Sequence, residues 1–329
     1  MAAILACSLP ALAIDNTTVE IVFNGATATV TVASNISSYV IVESGTSSHV
    51  KLTQSSSFTP SATFATTANT TGEIIYILSG STTDGEFYLT APAKATVQVS
   101  DLTLTNATPT YSGAAIAVYG GKRYKLSAKN ETTSTLKDAT TGSQSGCIYV
   151  KGHLELQGKG TLNVYGNLKH AIKSTEYMST KNLTLNIPYS VKDGMHCDEY
   201  FLMESGTITL SNIGDDGIQV DIDTSDTKTG QTTDHEAENS GNFYQEGGTL
   251  NINSVSTNST TGKAINAEGT ETHNGGTYND ATGISSVEQD GTNGNGSWYD
   301  LNGRRMASPS SKGIYITNIN GKATKVVIR

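Results

Sequence analysis

The sequence predicts an all-β chain wound as a right-handed parallel β-helix, a solenoid of about 23 residues per coil, followed by a small C-terminal β module. Three observations predict it. A small–aliphatic–variable–small segment returns as Ala115-Ile116-Ala117-Val118, Cys147-Ile148-Tyr149-Val150, Ala171-Ile172-Lys173-Ser174, Gly194-Met195-His196-Cys197, Gly217-Ile218-Gln219-Val220 and Ala264-Ile265-Asn266-Ala267. Its aliphatics Ile148, Ile172, Met195 and Ile218 are 24, 23 and 23 residues apart, and such a fixed period of strand residues marks stacked coils. A Thr-aliphatic-x-aliphatic segment keeps the same step, with Leu162, Leu185 and Ile208 spaced by 23. No segment carries a 3.6-residue apolar rhythm, so helices should be scarce.

In chain order, residues 1–13 are an apolar run ending Ala11-Leu12-Ala13, which reads as a secretory signal peptide. Residues 14–72 are Thr/Ser-rich with short alternating runs such as Thr18–Phe23, and read as an N-terminal β segment or cap. The solenoid is expected over 73–278. Ile218 and Ile265 are 47 residues apart, twice the period. Either a further coil lies there, or Asp223–Gly241 is a polar loop; its lack of aliphatics favours the loop. A Gly/Asn-rich linker over 279–297 then leads to a β module over 298–329.

Composition narrows the function. Only 36% of residues are hydrophobic, but they alternate, which suits a thin solenoid core. Net charge is −9, and Asp193 to Glu246 carries 13 acidic side chains against one Lys. Such a surface repels nucleic acid and anionic lipid and suits cations or neutral ligands. After the N-terminal run, nothing approaches the apolar length of a membrane span. Cys147 and Cys197 fall in different columns two coils apart, roughly 10 Å by strand spacing, beyond disulfide reach, and read as small core residues. The chain is expected to be a monomer.

Alternation within the small–aliphatic strand points the aliphatic inward and the residue after it outward. Stacking then places Ala117, Tyr149, Lys173, His196, Gln219 and Asn266 in one outer column. Lys151, Thr175, Asp198, Asp221 and Glu268 form a second, and Gly146, His170, Asp193, Asp216 and Lys263 a third at the preceding bend. Tyr149, Lys173, His196, Gln219 and Asn266, a ribbed row of aromatic, basic and amide groups, suit an extended sugar polymer. The 15 Tyr against one Trp point the same way, many falling at coil edges (Tyr119, Tyr165, Tyr177, Tyr189, Tyr200, Tyr244). Carboxylates about 5 Å apart on neighbouring coils repel unless bridged or solvated. Asp193, Asp198, Asp215, Asp216, Asp221 and Asp223 are therefore candidate oxygen ligands for Ca²⁺, although Asp-Gly also forms ordinary solvated turns. His170 and His196 have no Ser, Cys or second His at triad or zinc spacing within their own coils. If the chain were a lyase, Lys173 would be the candidate base.

Lys169–Met178 and Lys192–Phe201, together with Lys151–Leu162 and Gly214–Ile218, resemble a secreted carbohydrate-binding β-helix family of gut and cellulolytic bacteria. That resemblance spans roughly Glu73 to Thr277. It implies a pectate-lyase-like fold, association with calcium and plant-type or acidic polysaccharides, and binding rather than cleavage, with acidic turns at Asp193, Asp198, Asp215 and Asp216. A calcium-dependent polysaccharide lyase and a structural surface protein or adhesin are the alternatives. Trp298–Arg304 with Gly313–Ile316 and Lys325–Ile328 is similar to the C-terminal sorting tail of Bacteroidetes type IX secretion substrates. It implies export to the medium or the outer-membrane surface through that machinery.

Overall fold

The computed structural model describes residues 17–66, 69–121, 123–225, 238–281, 297–300, 304–306, 313–319 and 322–328. The expected signal peptide and most of the linker lie outside them. Two compact units are present, 1–280 and 281–329. No helix among the described residues is long and apolar enough to cross a membrane.

The first unit is a parallel β-helix. Each full coil contributes three strands, as in Gly146–Val150, Leu154–Gly158 and Thr161–Gly166. The small–aliphatic strands stack in register from His49–Gln54 through Glu86–Thr90, Ile116–Tyr119, Gly146–Val150, His170–Ser174, Met195–Asp198 and Ile218–Asp221 to Ile265–Ala267. Ile148 pairs with Ile172, Ile172 with Met195, and Met195 with Ile218. These side chains are fully buried, each contributing about 1.5–3 kcal/mol.

The other two ladders belong to one large sheet and meet at the long strand Ala95–Thr105. Its first half pairs with Tyr124–Ala128 and its second with Thr133–Lys137. Asp101, at φ 48°, marks the bend, and its carboxylate accepts the Thr133 N–H at 3.1 Å. Asp tolerates this left-handed backbone better than most residues.

Parallel pairing starts before Glu73. Thr18–Asn24 pairs with Ile74–Thr82, and His49–Gln54 with Glu86–Thr90. The 14–72 segment thus already holds solenoid strands. Two antiparallel partners, Thr27–Val32 and Val40–Ser44, interrupt the period there. Further along, Ile218 pairs directly with Ile265, so the 47-residue interval is one coil carrying extra chain. Asp223 and Asn239 bond to each other twice, at 2.9 and 2.7 Å, on either side of the inserted residues, of which 226–237 lie outside the described ones. Ser240 and Gly241 N–H groups donate to the Glu199 carbonyl and return the chain to the ladder.

Gly194 and Gly217 answer to packing. A Cβ on Gly217 would lie 2.4 Å from the Ala264 carbonyl oxygen, and one on Gly194 would lie 2.7 Å from that of Gly217. Cys147 and Cys197 are both buried free thiols.

One buried carboxylate secures a loop beside the small–aliphatic sheet. Glu86 is fully buried, and its oxygens accept N–H bonds from Thr110, Tyr111, Ser112 and Gly113 at 2.8, 2.6, 3.1 and 3.3 Å. Burial pushes this carboxyl up, but the four N–H donors together hold it below its ordinary value. A depressed carboxylate stabilises the fold above its unfolded pKa and loses that contribution as pH falls. Glu86→Gln, which turns a donor toward these donors, is expected to cost about 3 kcal/mol. Thermal unfolding at neutral pH checks this.

Asp138 has the opposite sign. Burial pushes it up to about 7, against the Asn167 and Leu168 N–H donors. The native state therefore keeps a proton that the unfolded chain releases near pH ~3.9. Stability should fall as pH rises from about 4 to 7, by up to about 1.4 kcal/mol per unit for this group. Asp138→Asn should flatten that slope in melting curves taken across the interval.

The second unit contains an antiparallel four-stranded sheet of Ser297–Tyr299, Arg305–Met306, Gly313–Ile319 and Lys322–Ile328. In it Asp300 accepts from the Arg304 backbone N–H at 2.8 Å and from Arg304 Nε at 3.2 Å.

Candidate functional site

The outward residues of the small–aliphatic sheet form one continuous row. Lys51 pairs with Tyr88, Tyr88 with Ala117, Ala117 with Tyr149, Tyr149 with Lys173, Lys173 with His196, His196 with Gln219, and Gln219 with Asn266. Its two ends differ in chemistry.

The first end is aromatic. The Ala117 methyl leaves room for neighbouring rings to close over it. Tyr88 stacks on Tyr119 at a centroid distance of 5.0 Å, Tyr119 meets Tyr149 at 5.5 Å, and Tyr111 meets Tyr88 at 5.9 Å. All four rings are part-exposed. Lys51 Nζ lies 5.8 Å from the Tyr88 ring and 5.7 Å from that of Tyr111. The loop held by Glu86 supplies Tyr111.

The second end is a charge network. Lys173 Nζ reaches Asp198 Oδ1 at 2.8 Å. His196 Nδ1 lies 2.9 Å from Asp193 Oδ2, and its Nε2 lies 2.9 Å from Asp221 Oδ2 and 3.6 Å from Asp198 Oδ1. His170 Nδ1 sits 3.0 Å from the same Asp193 oxygen, and the two imidazoles meet edge-on at 4.7 Å. Gln219 donates to Asp221 Oδ1 at 2.7 Å. Burial opposes charge on His196, yet Asp193, Asp198 and Asp221 push it up to about 10. Asp193 is buried, which raises its carboxyl, but His170 and His196 hold it far below the carboxylate range. Asp198 and Asp221 are likewise desolvated and still lowered, mainly by His196. His170 is held below the ordinary imidazole value by burial.

The six aspartates do not gather around one point. Asp193, Asp198 and Asp221 converge on His196. Asp216 turns to the Lys263 N–H at 2.6 Å and to Asn266 Nδ2 at 2.8 Å. Asp215 lies 3.6 Å from Lys192, and Asp223 caps Ser225 at 2.8 and 2.6 Å. The repulsion expected between stacked carboxylates is relieved by Lys173 and His196. A donor set mixing imidazole nitrogens with carboxylates does not fit the all-oxygen shell of six to eight ligands that calcium takes.

Two of the edge tyrosines have a structural place. Tyr177 and Tyr200 are buried and stacked at 4.9 Å, and His153 covers Tyr177 at 4.1 Å. Met178 pairs with Phe201, so the register sets Tyr177 and Tyr200 beside each other on adjacent coils.

A family of carbohydrate-binding domain-containing proteins is matched by residues 61–322. The chain belongs to that family. No curated protein matches it. The fold of this carbohydrate-binding domain protein is similar to that of the polysaccharide lyase-like protein from C. thermocellum, solved as a gadolinium derivative. The TM-score is 0.54 at 19% identity, over 79% of this chain and 99% of that one.

The sequence places the outer columns of this family member in register but separates the histidines from their partners. His170 comes from the coil before that of Asp193 and His196, so spacing within a single coil is silent about its part in the group. The adjacency of the first and third columns was the available signal: stacking puts His170 beside Asp193, and Asp193 precedes His196 by three residues.

Proposed function

We propose that the protein is a secreted or cell-surface polysaccharide-binding protein that holds a plant-type or acidic glycan along the small–aliphatic sheet without cleaving it. The observation that carries this reading is the pair of part-exposed rings Tyr88 and Tyr149, bridged by the Tyr119 ring from the neighbouring column and running in register into Lys173, His196, Gln219 and Asn266. Its step is the spacing of parallel strands, about 5 Å, comparable to the length of a pyranose. Aromatic faces pack on sugar C–H surfaces, while the amide and cationic groups beyond them offer donors to hydroxyls or carboxylates. Lys173 is ion-paired with Asp198, which argues against its acting as the free base a lyase needs.

Calcium, in this reading, serves the glycan rather than the fold. It would reach the protein through Asp215, whose part-exposed carboxylate lies outside the imidazole network. Retention of the full chain on a panel of neutral and acidic plant polysaccharides, with and without Ca²⁺, tests this. Binding to at least one, with no ultraviolet absorbance from unsaturated uronate products, is expected. Failure on the whole panel rejects the proposal, and release of unsaturated products replaces it with the lyase.

A further inference from the structure

We propose that His170, Asp193 and His196 form a binding site for one late divalent transition metal, of which Zn²⁺ is the representative. His170 Nδ1, Asp193 Oδ2 and His196 Nδ1 all lie within 4.8 Å of one another. The two nitrogens are 3.0 and 2.9 Å from the shared oxygen. Ligand atoms of a tetrahedral zinc site sit about 3.4 Å apart, given Zn–N and Zn–O lengths of about 2.1 Å, so a small outward relaxation admits the ion.

Three further observations point to a ligand. His170 Nδ1 is a buried nitrogen without a hydrogen-bond partner, although the Asp193 oxygen is near. The other two ligands are braced from behind: His196 Nε2 meets Asp221 Oδ2 at 2.9 Å, and Asp193 Oδ1 accepts the Asp216 N–H at 3.2 Å. A carboxylate on the far nitrogen of a ligating imidazole is the usual support that fixes its tautomer and raises its basicity. Charge also matches. With both imidazoles neutral, Asp193, Asp198 and Asp221 oppose only Lys173, leaving two negative charges, those one divalent ion supplies. Two imidazoles and one carboxylate select borderline ions over calcium. Four-coordination then leaves one position for water or a ligand oxygen.

The test uses the full chain without an affinity tag, stripped with chelator, and does not depend on glycan binding. Calorimetric titration with Zn²⁺ is expected to give one tight site that millimolar Ca²⁺ does not compete for. Co²⁺ is expected to give the intense visible bands of a tetrahedral ion. His170→Ala should weaken Zn²⁺ binding at least 100-fold, and His153→Ala, at the separate His153–Glu176–Glu199 group, should not. Absence of Zn²⁺ binding, unchanged binding in His170→Ala, loss through His153→Ala instead, or displacement by Ca²⁺ each overturns the proposal. Should His170→Ala not fold, anomalous scattering at the zinc edge from soaked wild-type crystals decides, a peak elsewhere or none counting against the site.

Discussion

Tyr149→Ala is expected to weaken polysaccharide binding about ten-fold or more while barely moving the melting temperature. Tyr149 is part-exposed, its ring 5.5 Å from that of Tyr119 and next in register to Lys173. It stands where the aromatic end of the row passes into the charged end. An interfacial tyrosine in such a place carries about 2 kcal/mol or more when truncated, and ten-fold is about 1.4 kcal/mol. Because the ring packs outside the coil, its removal leaves no cavity in the core. Tyr177→Ala is the useful contrast: that ring is buried between His153 and Tyr200, so the variant should lose stability and keep its affinity when folded. Calorimetry against the best-retained glycan, beside a thermal melt, reads both effects. Unchanged affinity in Tyr149→Ala would move the glycan to another face.

In metal-free protein, His196→Ala should cost about 3–5 kcal/mol, the usual penalty for removing one partner from a buried ionic group. That is a large share of the 5–15 kcal/mol that holds a typical domain together. The imidazole is 12% exposed and its partner Asp193 only 3%, so water screens Asp193 poorly. Without the ring, Asp193, Asp198 and Asp221 face one another across adjacent coils with Lys173 as the remaining cation of the network. Adding Asp198→Asn and Asp221→Asn to His196→Ala should recover part of the loss, since the repulsion goes with the charges. Denaturant midpoints of the single and combined variants measure this. A His196→Ala protein as stable as its parent would mean the network contributes nothing to the stack.

The outer row was legible because two periodicities act together. A step of two residues fixes which side chains face out, and a step of 23 fixes which of them become neighbours. Lys173, His196 and Gln219 therefore follow from arithmetic alone, and Asn266 joins them because the 47-residue interval is a single coil. The middle strand of each coil escaped because it follows the first after so short a corner that the two read as one segment. Tyr177 and Tyr200 misled for the same reason: an edge in the sequence became an interior stack. The aromatic end was seen only through Tyr119 and Tyr149. Tyr88 lies before the period settles, and Tyr111 sits on a loop whose position depends on Glu86, 25 residues earlier. The acidic turns were visible as oxygen donors, but not the imidazole and ammonium groups that stacking sets among them. Read singly, the carboxylates ask for calcium, but folding hands them imidazoles and an ammonium.

Eight parallel strands in succession, from His49–Gln54 to Ile265–Ala267, make the exposed row a ruler roughly 34 Å long, at about 4.8 Å per step. Oligosaccharides of increasing size should gain affinity unit by unit until they span it, then stop gaining. The plateau would count the coils.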